Sequence, residues 1–473
     1  MSDQDSETLA NYKKEMLDQS FRDSVSTISK EGNRNYIYPQ KPKGRLYDLR
    51  SYFSYGYLIL FFTLPFLKIS GEPVFLMNVL ERKFIFFGKI FWPQDFFIFA
   101  VGLLTFLVFV ILFTVAFGRL WCGWACPQTI FMEMVFRKIE FYIEGDIAQQ
   151  KRLKAMSWNG EKLIKKGGKG IIFFMLSFLI ANFFLAYIIG IDELGKLVEE
   201  GIFVNFGTFS ALVLFTLVFF FVYSWFREQA CIIVCPYGRL QGVLLDKNSI
   251  LVAYDYVRGE PRGKMTELGN GDCVNCHACV RVCPTGIDIR NGTQLECVNC
   301  TACIDACNEI MDHIGKPQGL IRYASENNIA KKEKTTYTWR LKMYTIVLIA
   351  LISFLAVLLI TRADVSARII KTPGQTYQKL KGGKISNLYN IKLANKTRRL
   401  IHVVLKLEEM EGEISMINPI DVPKESYFQT SFFVTFKKEQ LHHRKTKFKV
   451  GIYENGKRIQ TATATFLGPV IQK

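Results

Sequence analysis

Residues 273–307 read CVNCHACVRVCPTGIDIRNGTQLECVNCTACIDAC. The stretch holds C-x2-C-x2-C-x3-C twice, at Cys273, Cys276, Cys279 and Cys283 and again at Cys297, Cys300, Cys303 and Cys307. Each run places three thiols on one tight loop and displaces the fourth. In two-cluster ferredoxins of this spacing, the last cysteine of each run ligates the other run's cluster. The expected ligand sets are Cys273, Cys276, Cys279 and Cys307 for one [4Fe–4S] cluster, and Cys297, Cys300, Cys303 and Cys283 for the other. Zinc ribbons use separated C-x2-C pairs, so the pattern argues against zinc and against disulfides. Pro284 follows the first run; Asn308 takes that place in the second, which weakens the expected turn but removes no ligand.

Working outward, the 473 residues are 49% hydrophobic and include 40 Phe, too apolar for a plain soluble protein. All twelve cysteines fall between 122 and 307, which suits metal or redox work in a reducing compartment better than a disulfide scaffold. The net charge of +18 comes with no nucleic-acid-binding motif. It reads instead as Lys and Arg on the cytoplasmic side of a membrane protein.

Residues 1–51 form a polar, partly disordered cytoplasmic tail without a secretory signal. Five apolar stretches, roughly 52–69, 96–117, 171–190, 207–226 and 343–361, are each about long enough to span a bilayer as a helix. The first contains Pro65, which a membrane helix tolerates. Segments 119–170 and 227–342 are rich in Lys and Arg. By contrast 191–206 holds only Lys196, and 70–95 only Arg82, Lys83 and Lys89. The bias predicts an inside N-terminus, five crossings and an outside C-terminus. The expected order is a four-helix membrane region (52–226), a cytoplasmic ferredoxin-type region (227–342), a fifth span (343–361) and an outside domain (362–473).

Residues 362–384 read as a polar connector with a turn at Pro373-Gly374. From about 385 apolar and polar residues alternate at period two, as in His402-Val403-Val404-Leu405-Lys406-Leu407, with turn formers such as Glu454-Asn455-Gly456 between. Several short strands in this length predict an immunoglobulin-like β-sandwich, held by packing alone and suited to docking. The fold class is thus a multi-domain membrane protein: an α-helical bundle, a two-cluster ferredoxin region and an all-β sandwich.

Two further cysteine pairs have the form C-x3-C-P: Cys122 and Cys126 before Pro127, and Cys231 and Cys235 before Pro236. On a helix, i and i+4 share a face, with a kink expected at the second cysteine. If the second and fourth spans are neighbours, the pairs form a four-sulfur redox or copper site. Soft thiolates select Cu(I), zinc or an iron–sulfur cluster, and spacing does not choose among them. His277 is expected at the solvent edge or as a hydrogen-bond donor near the first run. His442-His443 reads as an exposed pair. No paired histidines on a span suggest haem, and no glycine fingerprint suggests a nucleotide-binding domain.

The basic tail, GRLWCGWACPQTIFMEMVFRKIE from Gly118, the second C-x3-C-P, the double run, a last span and a β-sandwich together resemble the FixG-like cytochrome c oxidase accessory proteins. The resemblance covers nearly the whole chain. It implies a membrane polyferredoxin of cbb(3)-type oxidase assembly, acting as a cupric reductase that makes Cu(I) for the oxidase. The partners it implies are oxidase assembly factors, a copper transporter or chaperone, and a cytoplasmic electron donor, with no nucleic acid. The competing expectation is an electron-transfer subunit linking a quinone pool or cytoplasmic donor to a partner enzyme.

Overall fold

The computed structural model describes residues 26–29, 31–69, 71–79, 83–87, 89–91, 95–201, 203–264, 269–332, 337–363, 365–374, 376–397, 399–416, 419–424, 426–441 and 443–469. The chain divides into two compact units, 1–88 with 99–354, and 89–98 with 355–473. Most of the expected N-terminal tail, Arg82 and His442 lie outside the described residues.

Among the described residues four helices are long and apolar enough to cross a membrane: Phe96–Phe117, Gly160–Ile189, Phe206–Phe226 and Trp339–Ile360. Their outward faces carry exposed Leu103, Phe106, Leu217, Val218, Ile346 and Ile349. An apolar surface of this extent is stable in lipid, where a helix satisfies every backbone group internally. The stretch 52–69 behaves differently. It is helical from Arg45 to Thr63, breaks into a 3-10 turn at Leu64–Phe66 around Pro65, and is extended from Lys68. Its first turns bury Arg50, Ser51 and Ser54, so this half packs on protein. The helix also starts inside what reads as tail. Its own N-cap, Gly44, offers no side chain. Asp305 caps it instead, accepting from Leu46 N at 3.2 Å and Tyr47 N at 2.8 Å.

The basic segment 119–170 is folded rather than a simple loop. It contains a π-helical turn at Ile130–Phe136 and helices Arg137–Glu144 and Ile147–Ala155, and the next membrane helix already starts at Gly160. Arg137, Glu140 and Glu144 are buried here. Glu140 pairs with Arg227 and with Lys169 (3.0 Å); Glu228 faces Arg137 (3.4 Å) and Arg34 (3.3 Å). Charge that reads as a solvated face is thus an internal network. It joins the segments that follow Cys126 and precede Cys231.

The cysteine-rich region hangs on a two-stranded antiparallel ribbon, Leu251–Tyr254 with Ile321–Ala324. Val252, Tyr254, Ile304, Met311, Leu320 and Ile321 pack with Cys273, Cys279 and Cys307 in its core. Ile250 N donates to Ala116 O (3.0 Å) and Ser249 Oγ to Val115 O (2.7 Å), tying the ribbon to the end of Phe96–Phe117. Asn308 corrects an expectation. It sits inside the helix Ala302–His313, so there is no turn to weaken, and its Oδ1 accepts from Gly319 N at 3.0 Å. Proline there would break the helix that carries Cys303 and Cys307.

The second unit is a β-sandwich. One sheet has the order Glu413–Met416, Tyr427–Lys437, Lys384–Asn395, Val365–Lys371, with Gln378–Lys379 also on Lys384–Asn395. The other runs Ile420–Val422, Ile401–Leu407, Lys445–Glu454, Lys457–Leu467. Strands therefore begin at Val365, inside the expected connector. Val365 and Ala367 are buried there at period two. Tyr389, Phe432, Phe436, Phe448 and Phe466 fill the space between the sheets, and Phe436 meets Phe466 edge to face at 4.9 Å. The Asn455-Gly456 turn has φ of 48° and 80°, as a two-residue hairpin requires.

Candidate iron–sulfur and thiol site

The two runs fold as a repeat. Asn275 and Asn299 precede the middle cysteine of each run, and His277 and Thr301 follow it; all four have φ between 53° and 66°. Asn accepts this left-handed region readily, whereas β-branched Thr does so only under local constraint. Left-handed residues leading into right-handed turns form anion-binding concavities. Helices then start at Ala278 and Ala302; the first carries Cys279, with Cys283 just beyond its end, and the second carries Cys303 and Cys307.

The thiols converge on two adjoining small cavities. One is lined by Cys273, Cys276, Cys279 and Cys307, with Tyr254, Arg290 and Leu320. The other is lined by Cys283, Cys297, Cys300 and Cys303, with Val252 and Ile287; Cys279 borders both. The fourth member of each cavity thus comes from the other run. Burial pushes the Cys279, Cys297 and Cys307 thiols up to about 12 and Cys300 to about 11, and holds Cys303 well above its ordinary value. Unliganded, these groups stay neutral near pH 7; they ionise only on binding a thiophilic cation. Among the described residues, no three His, Cys, Asp or Glu converge closely enough to hold a single metal ion. Four thiols line each cavity, with Cys279 shared, and a cubane meets each thiolate through a different iron, so the donor set fits [4Fe–4S] groups.

His277 is exposed, and its Nδ1 accepts from Arg290 at 2.9 Å; Arg290 also donates to Asn275 Oδ1 at 2.6 Å. Arg290, itself buried, braces the first loop from behind. Nothing in the cysteine spacing announces this residue.

The C-x3-C-P pairs depart from the helical expectation. Cys122 lies in the short helix Leu120–Trp124, but Cys126 is extended (φ −67°, ψ 125°) and caps the next helix at Pro127. Cys231 lies in a π-turn, and Cys235 is again extended (φ −66°, ψ 112°) before Pro236. The residue before proline avoids the α region, and proline favours the first helical position. Each pair is therefore split across a break instead of riding one face. Even so, Cys122 lies within electrostatic reach of Cys126 and Cys235, and Cys231 of all three. Burial raises Cys122 to about 11 and Cys231 to about 12. Gln241, fully buried, donates to Cys122 Sγ at 3.6 Å.

This thiol group sits directly on the second cysteine run. A Cβ at Gly123 would run into the carbonyl oxygens of Val298 and Asn299. Arg50 Nε donates to Gly123 O at 2.7 Å, while Trp124 Nε1 donates to Tyr323 OH (3.2 Å), which donates to Asn299 O (3.3 Å).

Residues 226–326 match the family described as a 4Fe-4S dicluster domain, and 99–143 match a 4Fe-4S binding domain. Residues 355–469 match the IG-like fold at the C-terminus of FixG. Protein RdxA of Cereibacter sphaeroides is 34% identical over 379 residues, spanning 76% of this chain and 80% of that one. The chain belongs to the FixG family. RdxB of the same organism is 34% identical over 398 residues, covering 79% of this chain and 82% of its own. Nitrogen fixation protein FixG of Rhizobium meliloti is 37% identical over 311 residues, 63% of this chain and 58% of that protein. The crystal structure of a FixG-related protein from Vibrio parahaemolyticus is 15% identical, covers 23% of this chain and all of its own, and gives a TM-score of 0.21. As a FixG-family member with ferredoxin-like 4Fe-4S domains and membrane-length helices, the protein is an iron–sulfur electron-transfer protein of a membrane.

Proposed function

We propose that the protein reduces Cu(II) to Cu(I) at the four C-x3-C-P thiols, using electrons held by two [4Fe–4S] clusters, in the assembly of a cbb(3)-type oxidase. The observation that carries this reading is the gathering of Cys122, Cys126, Cys231 and Cys235 beside the second cysteine run. When bound, the clusters supply one-electron storage at protein-tuned potentials. The chain's own residues do the rest. Cys273, Cys276, Cys279 and Cys307 hold one cluster, and Cys283, Cys297, Cys300 and Cys303 the other. The half-buried thiols of the C-x3-C-P set favour Cu(I) over Cu(II), because soft donors select the reduced ion. The basic segments 119–170 and 227–342 support placing this region on the cytoplasmic side, with the sandwich outside as a dock for assembly factors and the copper passing to a transporter or chaperone. Replacing Cys122 and Cys235 together by Ser is expected to abolish copper reduction and copper retention while both clusters remain. Unaltered reduction in that variant would refute the assignment.

A second reading places a further [4Fe–4S] cluster at the C-x3-C-P thiols, making the chain an electron-transfer subunit for a partner enzyme. It is favoured by the 4Fe-4S binding domain match at 99–143, whose cysteines are Cys122 and Cys126. Iron analysis separates the readings, at about eight or about twelve irons per chain.

A further inference from the structure

The two cysteine runs are alike in sequence but not in surroundings. Of the twelve cysteines only Cys276, the middle cysteine of the first run, is exposed, and Asn275 and His277 on either side of it are exposed as well. The equivalent residues of the second run are covered. Asn299 and Thr301 are 2% and 1% exposed, and Val298 is buried. Gly123 packs on the backbone of Val298 and Asn299, Arg50 holds the Gly123 carbonyl there, and Trp124 reaches Asn299 through Tyr323. The electrostatic neighbours agree: Arg50 acts on Cys300 and Arg119 on Cys297, whereas Arg290 acts on Cys279.

We infer that the two runs are polarised: the Asn275–His277 loop opens the first run to water, and the Val298–Cys300 loop, sealed against Gly123, passes electrons to the C-x3-C-P thiols. Gly123 is a positioning residue. Only a residue without Cβ lets the two backbones touch, and that contact sets the gap between the second run and the thiol set. Arg290, anchored by Asp288, holds the first loop open towards solvent through Asn275 and His277. The inference rests on the cluster assignment proposed above. Per event one reduced cluster gives up one electron and one Cu(II) becomes Cu(I), so charge balances without a proton.

The test uses the full-length protein in nanodiscs, reduced with dithionite, with electron paramagnetic resonance as readout. Chromium(III) oxalate, which stays in water, is added first. It is expected to broaden one cluster signal strongly and leave the other sharp. The broadened signal should be the one altered by Cys276→Ser. Equal broadening of both overturns the polarity. Rapid mixing with Cu(II) follows, with freeze-quench sampling. Gly123→Ala is expected to leave the rate of dithionite reduction unchanged and to slow reoxidation by Cu(II) severalfold. Tyr323→Phe, which removes one hydroxyl and keeps the ring, should slow it in the same direction and guards against misfolding of the first variant. Wild-type reoxidation rates in both variants overturn the role of the contact. Absent cluster signals, or wild-type clusters indifferent to Cu(II), would instead refute the functional reading; in the second case the oxalate result alone decides the polarity.

Discussion

Replacing Glu140 by Gln removes one charge from the internal network without changing its shape. Glu140 is 2% exposed; it accepts from Arg227, from Lys169 at 3.0 Å and from Tyr36 OH at 3.2 Å. Burial alone would raise its carboxyl, but Arg227, Lys169 and Arg137 hold it down, from 4.5 to about 2. That gap corresponds to roughly 3 kcal/mol of stabilisation at about 1.4 kcal/mol per tenfold. Breaking a buried pair by deleting one partner costs about 3–5 kcal/mol, which agrees. Because the folded-state value is depressed, the stabilisation is complete above pH 4.5 and is lost as pH falls towards 2. Urea unfolding in nanodiscs, followed by circular dichroism, should show E140Q less stable by about 3 kcal/mol at pH 7, with the difference shrinking below pH 4.5. A difference under about 0.5 kcal/mol at pH 7, the size of an ordinary surface change, would refute the reasoning. So would one that is independent of pH. Glu140 follows Cys126 and Arg227 precedes Cys231, so the same variant should also weaken metal retention at the C-x3-C-P set.

Three further outcomes follow from particular contacts. Asn308→Pro should cost about 3 kcal/mol by breaking Ala302–His313 at its centre, and iron analysis should find clusters missing; a fully loaded variant would contradict the helix account. Arg290→Met removes a buried cation beside Cys279 and Cys273, so a redox titration should find one cluster potential lowered and the other unmoved; equal shifts in both would count against the two-cavity grouping. Tyr389→Phe deletes the hydroxyl that donates to Thr465 O at 2.9 Å inside the sandwich, and should destabilise that unit by about 1 kcal/mol, read as a lower melting transition with unchanged cluster spectra.

Much of this molecule was legible because strong periodic signals survive folding. The cysteine spacing gave the same two foursomes that line the two cavities. The alternation after 385 and the Asn455-Gly456 turn gave the sandwich. Apolar length gave four helices of membrane length among the described residues, and a fifth stretch, 52–69, that breaks at Pro65 instead. Three things stayed hidden. The extended Cys126 and Cys235 were signalled by the proline that follows each, but the i, i+4 spacing suggested one kinked helix with both sulfurs on a face instead of a full break. The Glu140–Arg227 network was unreadable because its partners lie 87 residues apart and each charge alone resembles a solvated loop residue. The seating of Gly123 on Val298 needed the fold, since a lone glycine between Cys122 and Trp124 has no sequence partner.

The most direct single measurement is electron paramagnetic resonance of the purified protein, reduced with dithionite and titrated with Cu(II), alongside iron and sulfide analysis. The account predicts about eight irons per chain, two [4Fe–4S] signals, and their loss in step with formation of Cu(I). Reduced clusters that persist in the presence of Cu(II) would contradict it.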